Sequence, residues 1–315
     1  MKRRLRRSAN GCFNKRSLKW LSRIRHTTTK ANPPCDEDTR VGTLSDIKRW
    51  VDDISSGSQN FFWLTGDPGC GKSAITASLA RYCKDSRTLW AQFFVNRNNE
   101  ATTNPRFYFP SIARQMAEHT TSDQTIKKTI YDIIKRRPSV LDQMTLNQAL
   151  DLFVETVQAA CDLDPSKPVA IVIDGLDETR RDKLQDTAEI FSQLFKVLNH
   201  RNAKVFISSR TDDEITKPFY LALQSNERHV MHVHLDTSDP SSIEDVSRYL
   251  FRNVKQLVEK WNLNWKEWPG EERMKMLCVR ASGLFIWAVT GEILPGTTEA
   301  IRTRALKRTP RCHQR

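Results

Sequence analysis

Gly66-Asp67-Pro68-Gly69-Cys70-Gly71-Lys72-Ser73 decides how this chain is read. The stretch fits G-x-x-x-x-G-K-[ST] in full. Its glycines permit positive φ and let backbone N–H groups curl around an anion with no Cβ in the way. A helix starting at Lys72 would aim its N-terminal dipole at the same anion. Lys72 is then placed to reach β- and γ-phosphates, and the Ser73 hydroxyl to ligate Mg²⁺. Residues 66–73 and the following Ala74 are the candidate nucleotide contacts. The flanks match what the motif requires. Residues 59–65 (QNFFWLT) form a short apolar run between Ser/Gly and Gly/Pro, the pattern of a buried strand. Residues 72–82 place Ile75, Leu79 and Tyr82 on one helical face. A strand, this loop and a helix make a P-loop, and a Gly-rich turn without nucleotide is the weaker reading.

About a hundred residues on, Val169-Ala170-Ile171-Val172-Ile173-Asp174 reads as a buried strand ending in a carboxylate. In nucleotide hydrolases such an Asp holds the Mg²⁺ hydration shell opposite the P-loop hydroxyl, so Ser73 and Asp174 are the candidate metal ligands. Gly175 allows a sharp turn, and Asp177 and Glu178 follow, either of which could orient an attacking water. Lys204-Val205-Phe206-Ile207-Ser208-Ser209-Arg210 is a further strand, and an Arg at its end can contact the γ-phosphate. The bland alternatives are an ordinary acidic loop and a surface arginine.

Further strands are expected at 89–95 and 230–235, with 205–208 the centre of the strand ending at Arg210, and helices at 106–119, 124–136 and 145–160. Another helix carries Ile190, Phe191, Leu194 and Leu198. Strands alternating with helices give an α/β class: a P-loop NTPase with a mostly parallel five-stranded sheet covered by helices. Beyond residue 240 the pattern is helical, at 241–262, 271–281 and 283–293. The expected organisation is a basic, disordered tail over 1–32, the nucleotide-binding domain over 33–240, a partial helical domain over 241–293 and a second basic tail over 294–315.

The formal charge of +13 sits in those tails. Residues 1–35 hold eleven Lys/Arg and no acid, and residues 295–315 hold six against Glu299, whereas 36–294 carry 36 acidic and 33 basic residues. A basic nucleic-acid-reading face is therefore not expected. No apolar run approaches the ~20 residues of a membrane span. Seven cysteines without a C-x-x-C pair suggest a reducing compartment, and a cytoplasmic location is expected. The N-terminal composition also suits mitochondrial or nuclear targeting. His232 and His234 share a strand face but lack neighbouring ligands at metal spacing, so partly exposed histidines are expected. Trp261, Trp265 and Trp268 are spaced as one helical face, which favours packing over a base-stacking platform. Cys70, at a helix N-terminus, is a candidate redox-sensitive thiol.

In this order and spacing, the motifs resemble the NACHT domain of the signal-transduction NTPases with numerous domains (STAND). The nearest likeness is the fungal branch with a nephrocystin-3-like N-terminal NTPase domain. The resemblance spans about 33–292. It includes Pro34-Cys35, Thr39-Arg40 and a helix with Leu44, Ile47 and Trp50. It continues through the P-loop, Phe93-Phe94-Val95-Asn96-Arg97, Ile112-Ala113-Arg114-Gln115-Met116 and Asp174-Gly175-Leu176-Asp177-Glu178. Ile207-Ser208-Ser209-Arg210 and Ser282-Gly283-Leu284-Phe285-Ile286-Trp287-Ala288 complete the set. It implies a slow NTPase switch in fungal NLR-like signalling, where ADP holds a closed form and ATP permits self-association, alone or with related NACHT proteins. Such proteins are associated with self/non-self recognition and programmed cell death. Relatives usually carry an N-terminal effector and C-terminal WD40, ankyrin or TPR repeats, for which 1–32 and 292–315 are too short. A truncated paralogue or an early-ending gene model is expected. No winged-helix histidine for the β-phosphate stands out.

P-loop contacts go to phosphates, so ATP/ADP and GTP both remain open, although no N-K-x-D guanine-reading motif is present. Two other functions compete with the switch. One is a catalytically weak NACHT fragment acting as an interaction module with full-length relatives. The other is a kinase, for which no Arg-rich lid is seen.

Overall fold

The structure, a computed structural model, describes residues 31–119, 124–141, 145–226 and 229–290. Helix α1 (Val41–Asp52) leads into β1 (Phe61–Gly66), α2 (Lys72–Asp85) and β2 (Leu89–Phe94). Then come α3 (Glu100–Thr103), α4 (Tyr108–His119), α5 (Gln124–Arg136), α6 (Leu146–Gln148) and α7 (Glu155–Leu163). The chain continues through β3 (Val169–Asp174), α8 (Leu184–Val197), β4 (Ala203–Ser209), α9 (Asp213–Asn226) and β5 (Val230–Leu235). It closes with α10 (Pro240–Lys260), α11 (Gly270–Ala281) and α12 (Phe285–Thr290).

All five strands run parallel, in the order β2-β3-β4-β1-β5. Successive strand residues point to opposite faces. Phe61, Trp63, Ile171, Ile173, Val205 and Ile207 pack with buried residues of α4, α5, α7, α8 and α9. Phe62, Leu64, Ala170, Val172 and Phe206 pack with Ile47, Trp50 and Val51 of α1 and Ile75 and Leu79 of α2. Coverage on both faces is why β1 and β3 read as unbroken apolar runs. The α/β class and the covered parallel sheet are as the sequence leads one to expect.

The sheet order has a direct consequence for the site. Strand β4 lies between β1 and β3, with Thr65 opposite Ser209 and Ile173 opposite Ile207. The carboxyl ends of β1, β3 and β4 therefore meet at one rim, where open α/β sheets bind ligands.

Three local readings need correction. The helix expected over 145–160 is instead α6, a π-helical turn Ala149–Val154 and α7. The turn carries Asp151, which pairs with Arg137 at 2.7 Å. Helix α9 was not foreseen because Pro218 interrupts it, although Ile215, Phe219 and Ala222 keep a helical spacing and are buried. The three tryptophans lie past the end of α10, in turns and not on a helical face. Trp265 and Trp268 nevertheless pack against the helical core, while Trp261 is exposed.

Helix α10 starts cleanly, with Pro240 in its first turn and the Asp239 carboxylate accepting from Ser241 N–H. Its Val246, Leu250, Val254 and Val258, four apart, join Met274 and Ala281 in a separate small core. Ser282 and Gly283, at φ 46° and 75°, end α11 and turn the chain back toward the sheet. Residues 291–293 of the third expected helix, residues 1–30 of the first basic tail and all of the second, 294–315, lie outside the described residues. Among the described residues no helix is long and apolar enough to cross a membrane, and Cys35, Cys70, Cys83, Cys161 and Cys278 are free thiols.

Candidate functional site

The loop from Gly66 to Lys72 joins β1 to α2. Gly69 and Gly71 stand at φ 82° and 100°, a region that L side chains rarely adopt, and Gly71 caps α2. The Lys72 ammonium folds over the loop, donating to the carbonyls of Gly66 (2.7 Å) and Asp67 (2.9 Å). Cys70 is fully buried, with its sulfur 3.8 Å from that ammonium.

Across β4, Asp174 is 2% exposed. Burial pushes its carboxyl up, and hydrogen bonds from Ser208, Ser73 and Thr76 work against that rise. Ser208 also takes the N–H of Gly175 at 3.0 Å, locking the turn after β3. Ser73 and Asp174, expected as metal ligands, stand on the two sides of β4, at the start of α2 and the end of β3. A buried carboxylate with no cation among its hydrogen-bond partners, beside a hydroxyl, is a hard-oxygen pair that suits Mg²⁺. Among the described residues no cluster of three or more His, Cys, Asp or Glu could hold a metal. A Mg²⁺ ion here would complete its shell with water and phosphate oxygens, as it usually does.

The two carboxylates after Asp174 are each held by an arginine. Asp177 receives the Arg210 backbone N–H at 3.0 Å and lies 3.0 Å from its Nε, with the Asp177 side chain only 5% exposed. Burial raises the Asp177 carboxyl, and the bond and charge of Arg210 oppose that. Glu178 receives the Arg97 backbone N–H at 2.8 Å and its guanidinium at 3.2 Å. Arg210, expected to reach a γ-phosphate, is therefore paired with Asp177. The two carboxylate–arginine pairs share one cavity of about 670 Å³ with Lys72 and Ser73. A larger hollow of about 1120 Å³ lies between α8 and α9 and contains none of the motif residues.

Sequence reasoning did not place the roof of this cavity. Arg40 is 3% exposed and holds φ 56°, a left-handed conformation uncommon for arginine. Its guanidinium donates to the Cys70 carbonyl (2.8 Å) and the Ser242 hydroxyl (2.7 Å), and its N–H to Asp245 (3.0 Å). It also lies 5.3 Å from the centre of the Phe285 ring. Phe285 and Ile286, at the start of α12, sit directly over Gly71 and Gly69. The Thr39-Arg40 pair and Ser282–Ala288 stretch were visible in the sequence, but no local pattern tied them to the phosphate loop 30 and more than 200 residues away.

His232 and His234 both contact the Thr65 hydroxyl, at 2.9 and 3.0 Å, one residue before the P-loop. Burial, followed by the charge of His234, holds His232 below the usual histidine value. They act as hydrogen-bonding side chains of a sheet-edge strand.

A search of curated proteins finds no match. The family model described as Nephrocystin 3, N-terminal, matches residues 41–210, from the first residue of α1 to the arginine after β4. That interval is more than half of the chain and contains the P-loop, both arginine–carboxylate pairs and four of the five strands, and on it this chain belongs to the nephrocystin 3 N-terminal family.

Proposed function

We propose that the chain is a nucleotide-binding switch of the NACHT class that binds ATP·Mg²⁺, hydrolyses it slowly and couples nucleotide state to self-association. The observation that carries this reading is that Lys72 and Ser73 line one cavity on a loop bent by Gly69 and Gly71, while Asp174 stands buried at the carboxyl end of β3 across β4. Lys72 gives up two carbonyl contacts to bind phosphate oxygens. Ser73 and Asp174 would hold Mg²⁺, which neutralises phosphate charge. Arg210 and Arg97 stand ready for a terminal phosphate, and Asp177 or Glu178 orients water. ATP, ADP and GTP share the contacted phosphates, and the base would lie toward Cys35, Tyr249 and Phe285. The setting that the resemblance suggests is fungal NLR-like signalling, with assembly into homo-oligomers or hetero-oligomers with related NACHT proteins.

Equilibrium binding of labelled ATP, ADP and GTP with Mg²⁺, followed by sedimentation of each loaded form, tests the switch. ATP should bind and yield a larger species than ADP. No binding by a folded sample would overturn the reading.

A second reading has its own support. Both candidate water-orienting carboxylates are tied to arginines, the arrangement expected of a catalytically weak interaction module. That reading gains if nucleotide binds but is never turned over, and if mixed assemblies form with related NACHT proteins.

A further inference from the structure

We infer that Arg97 is a phosphate-sensing residue that trades Glu178 for the terminal phosphate of a bound nucleoside triphosphate, freeing Glu178 only when a third phosphate is present. The inference rests on the nucleotide-binding reading above and assigns a regulator to that site.

The two arginine–carboxylate pairs are built differently. Arg210 holds the nearly buried Asp177 through its backbone N–H and Nε, both at 3.0 Å, from the position directly after the last residue of β4. Arg97 lies in the loop after β2. That loop is anchored by Val95 N–H to the Asp174 carbonyl (2.9 Å) and by Asn96 N–H to the Thr102 hydroxyl (3.0 Å). The Arg97 backbone N–H is thus a fixed donor to Glu178, while its guanidinium, at 3.2 Å, is the longer contact. With side chains 54% and 25% exposed, this ion pair is open to solvent and weak.

A terminal phosphate is a stronger partner for that guanidinium. It offers more than one negative charge and the paired oxygens that a planar fork engages twice. Arg97 and Glu178 line the same cavity as Lys72 and Ser73, so the phosphate would arrive within the same small volume. A diphosphate ends short of this exchange and leaves Glu178 tied. The weaker pair then reports the third phosphate, and the Asp177–Arg210 pair, with its carboxylate nearly buried, keeps the loop in shape.

The test measures ATP and ADP affinity, and single-turnover hydrolysis, for the full chain and for Arg97→Ala, Arg97→Lys, Glu178→Gln and the Arg97→Ala/Glu178→Gln double variant. Arg97→Ala should lower the preference for ATP over ADP about tenfold, the loss of one charge-assisted contact. Arg97→Lys should restore part of it. Glu178→Gln removes the competing charge and should raise the preference, and the double variant should match Arg97→Ala. An unchanged preference in Arg97→Ala, or no rise in Glu178→Gln, overturns the exchange while leaving nucleotide binding intact. Failure of the wild-type chain to bind either nucleotide overturns both.

Discussion

Ile286 donates its backbone N–H to the carbonyl of Gly69 at 3.1 Å, and its Cγ2 lies 2.1 Å from where a Cβ on Gly69 would stand. The start of α12 is thereby seated on the phosphate loop, more than 200 residues earlier in the chain. Gly69 is required twice over, by its φ of 82° and by this contact.

Gly69→Ala is expected to cost about 2–4 kcal/mol, combining backbone strain with overpacking against Ile286. Ile286→Ala in the same chain should recover part of that loss, because the steric part disappears and the strain stays. Thermal melts of the four proteins check this. An equal loss on both backgrounds would mean that Ile286 does not touch the loop.

Arg40→Ala should destabilise the protein by about 3 kcal/mol. It strands the buried Cys70 carbonyl and removes the donor to the Ser242 hydroxyl, while the backbone N–H bond to Asp245 is kept. Arg40→Lys should fall between the two, since a point charge cannot serve Cys70 and Ser242 in the same planar geometry. Urea denaturation gives the order, and an Arg40→Ala protein as stable as wild type would contradict the clamp.

Lys204 is buried on β4, with its amine donating to the Gln59 carbonyl (2.8 Å) and the Ser58 hydroxyl (3.2 Å). Burial lowers it from the usual 10.5 to about 8. Below pH 8 both folded and unfolded chains carry the proton, so the cost of burying the charge is present in full. Between pH 8 and 10.5 the unfolded chain binds more protons, and the Lys204 contribution to stability rises with pH, by up to about 2–3 kcal/mol. The thiols of Cys83 and Cys161, pushed up to about 12 by burial, work in the opposite direction from pH 9. The informative quantity is therefore the difference between wild type and Lys204→Met. That difference should change across the window, and a constant difference would contradict a buried, titrating amine.

Asp177→Asn with Glu178→Gln should retain ATP binding and lose turnover, because both remove charge near the reacting phosphate while the P-loop is untouched. Rapid-quench hydrolysis with parallel binding isotherms reads both quantities. Wild-type turnover in the double variant would move the water-orienting role elsewhere.

Much of this fold was legible locally. The apolar runs of β1 and β3 and the glycine pattern between Gly66 and Lys72 depend on near neighbours, and each strand expected appears within about two residues at its ends. Helix α9 was obscured by Pro218, and the tryptophans by a spacing that suits a helix but falls in turns. Within the site, Lys72, Ser73 and Asp174 followed from motif chemistry. The pairing of Asp177 with Arg210 and of Glu178 with Arg97 did not, because it depends on β4 inserting beside β3 and on the loop after β2 closing over the acidic turn. Arg40 and Ile286 reach the P-loop only through tertiary packing, which no local periodicity encodes.

The most direct measurement is the affinity of the full chain for ATP and ADP with Mg²⁺, beside Lys72→Ala. Lys72 contacts loop carbonyls at the cavity and is no part of the core, so its loss should leave the melting temperature nearly unchanged and abolish nucleotide binding. A Lys72→Ala protein that is folded and binds nucleotide as wild type does would contradict the assignment of this loop as the phosphate site.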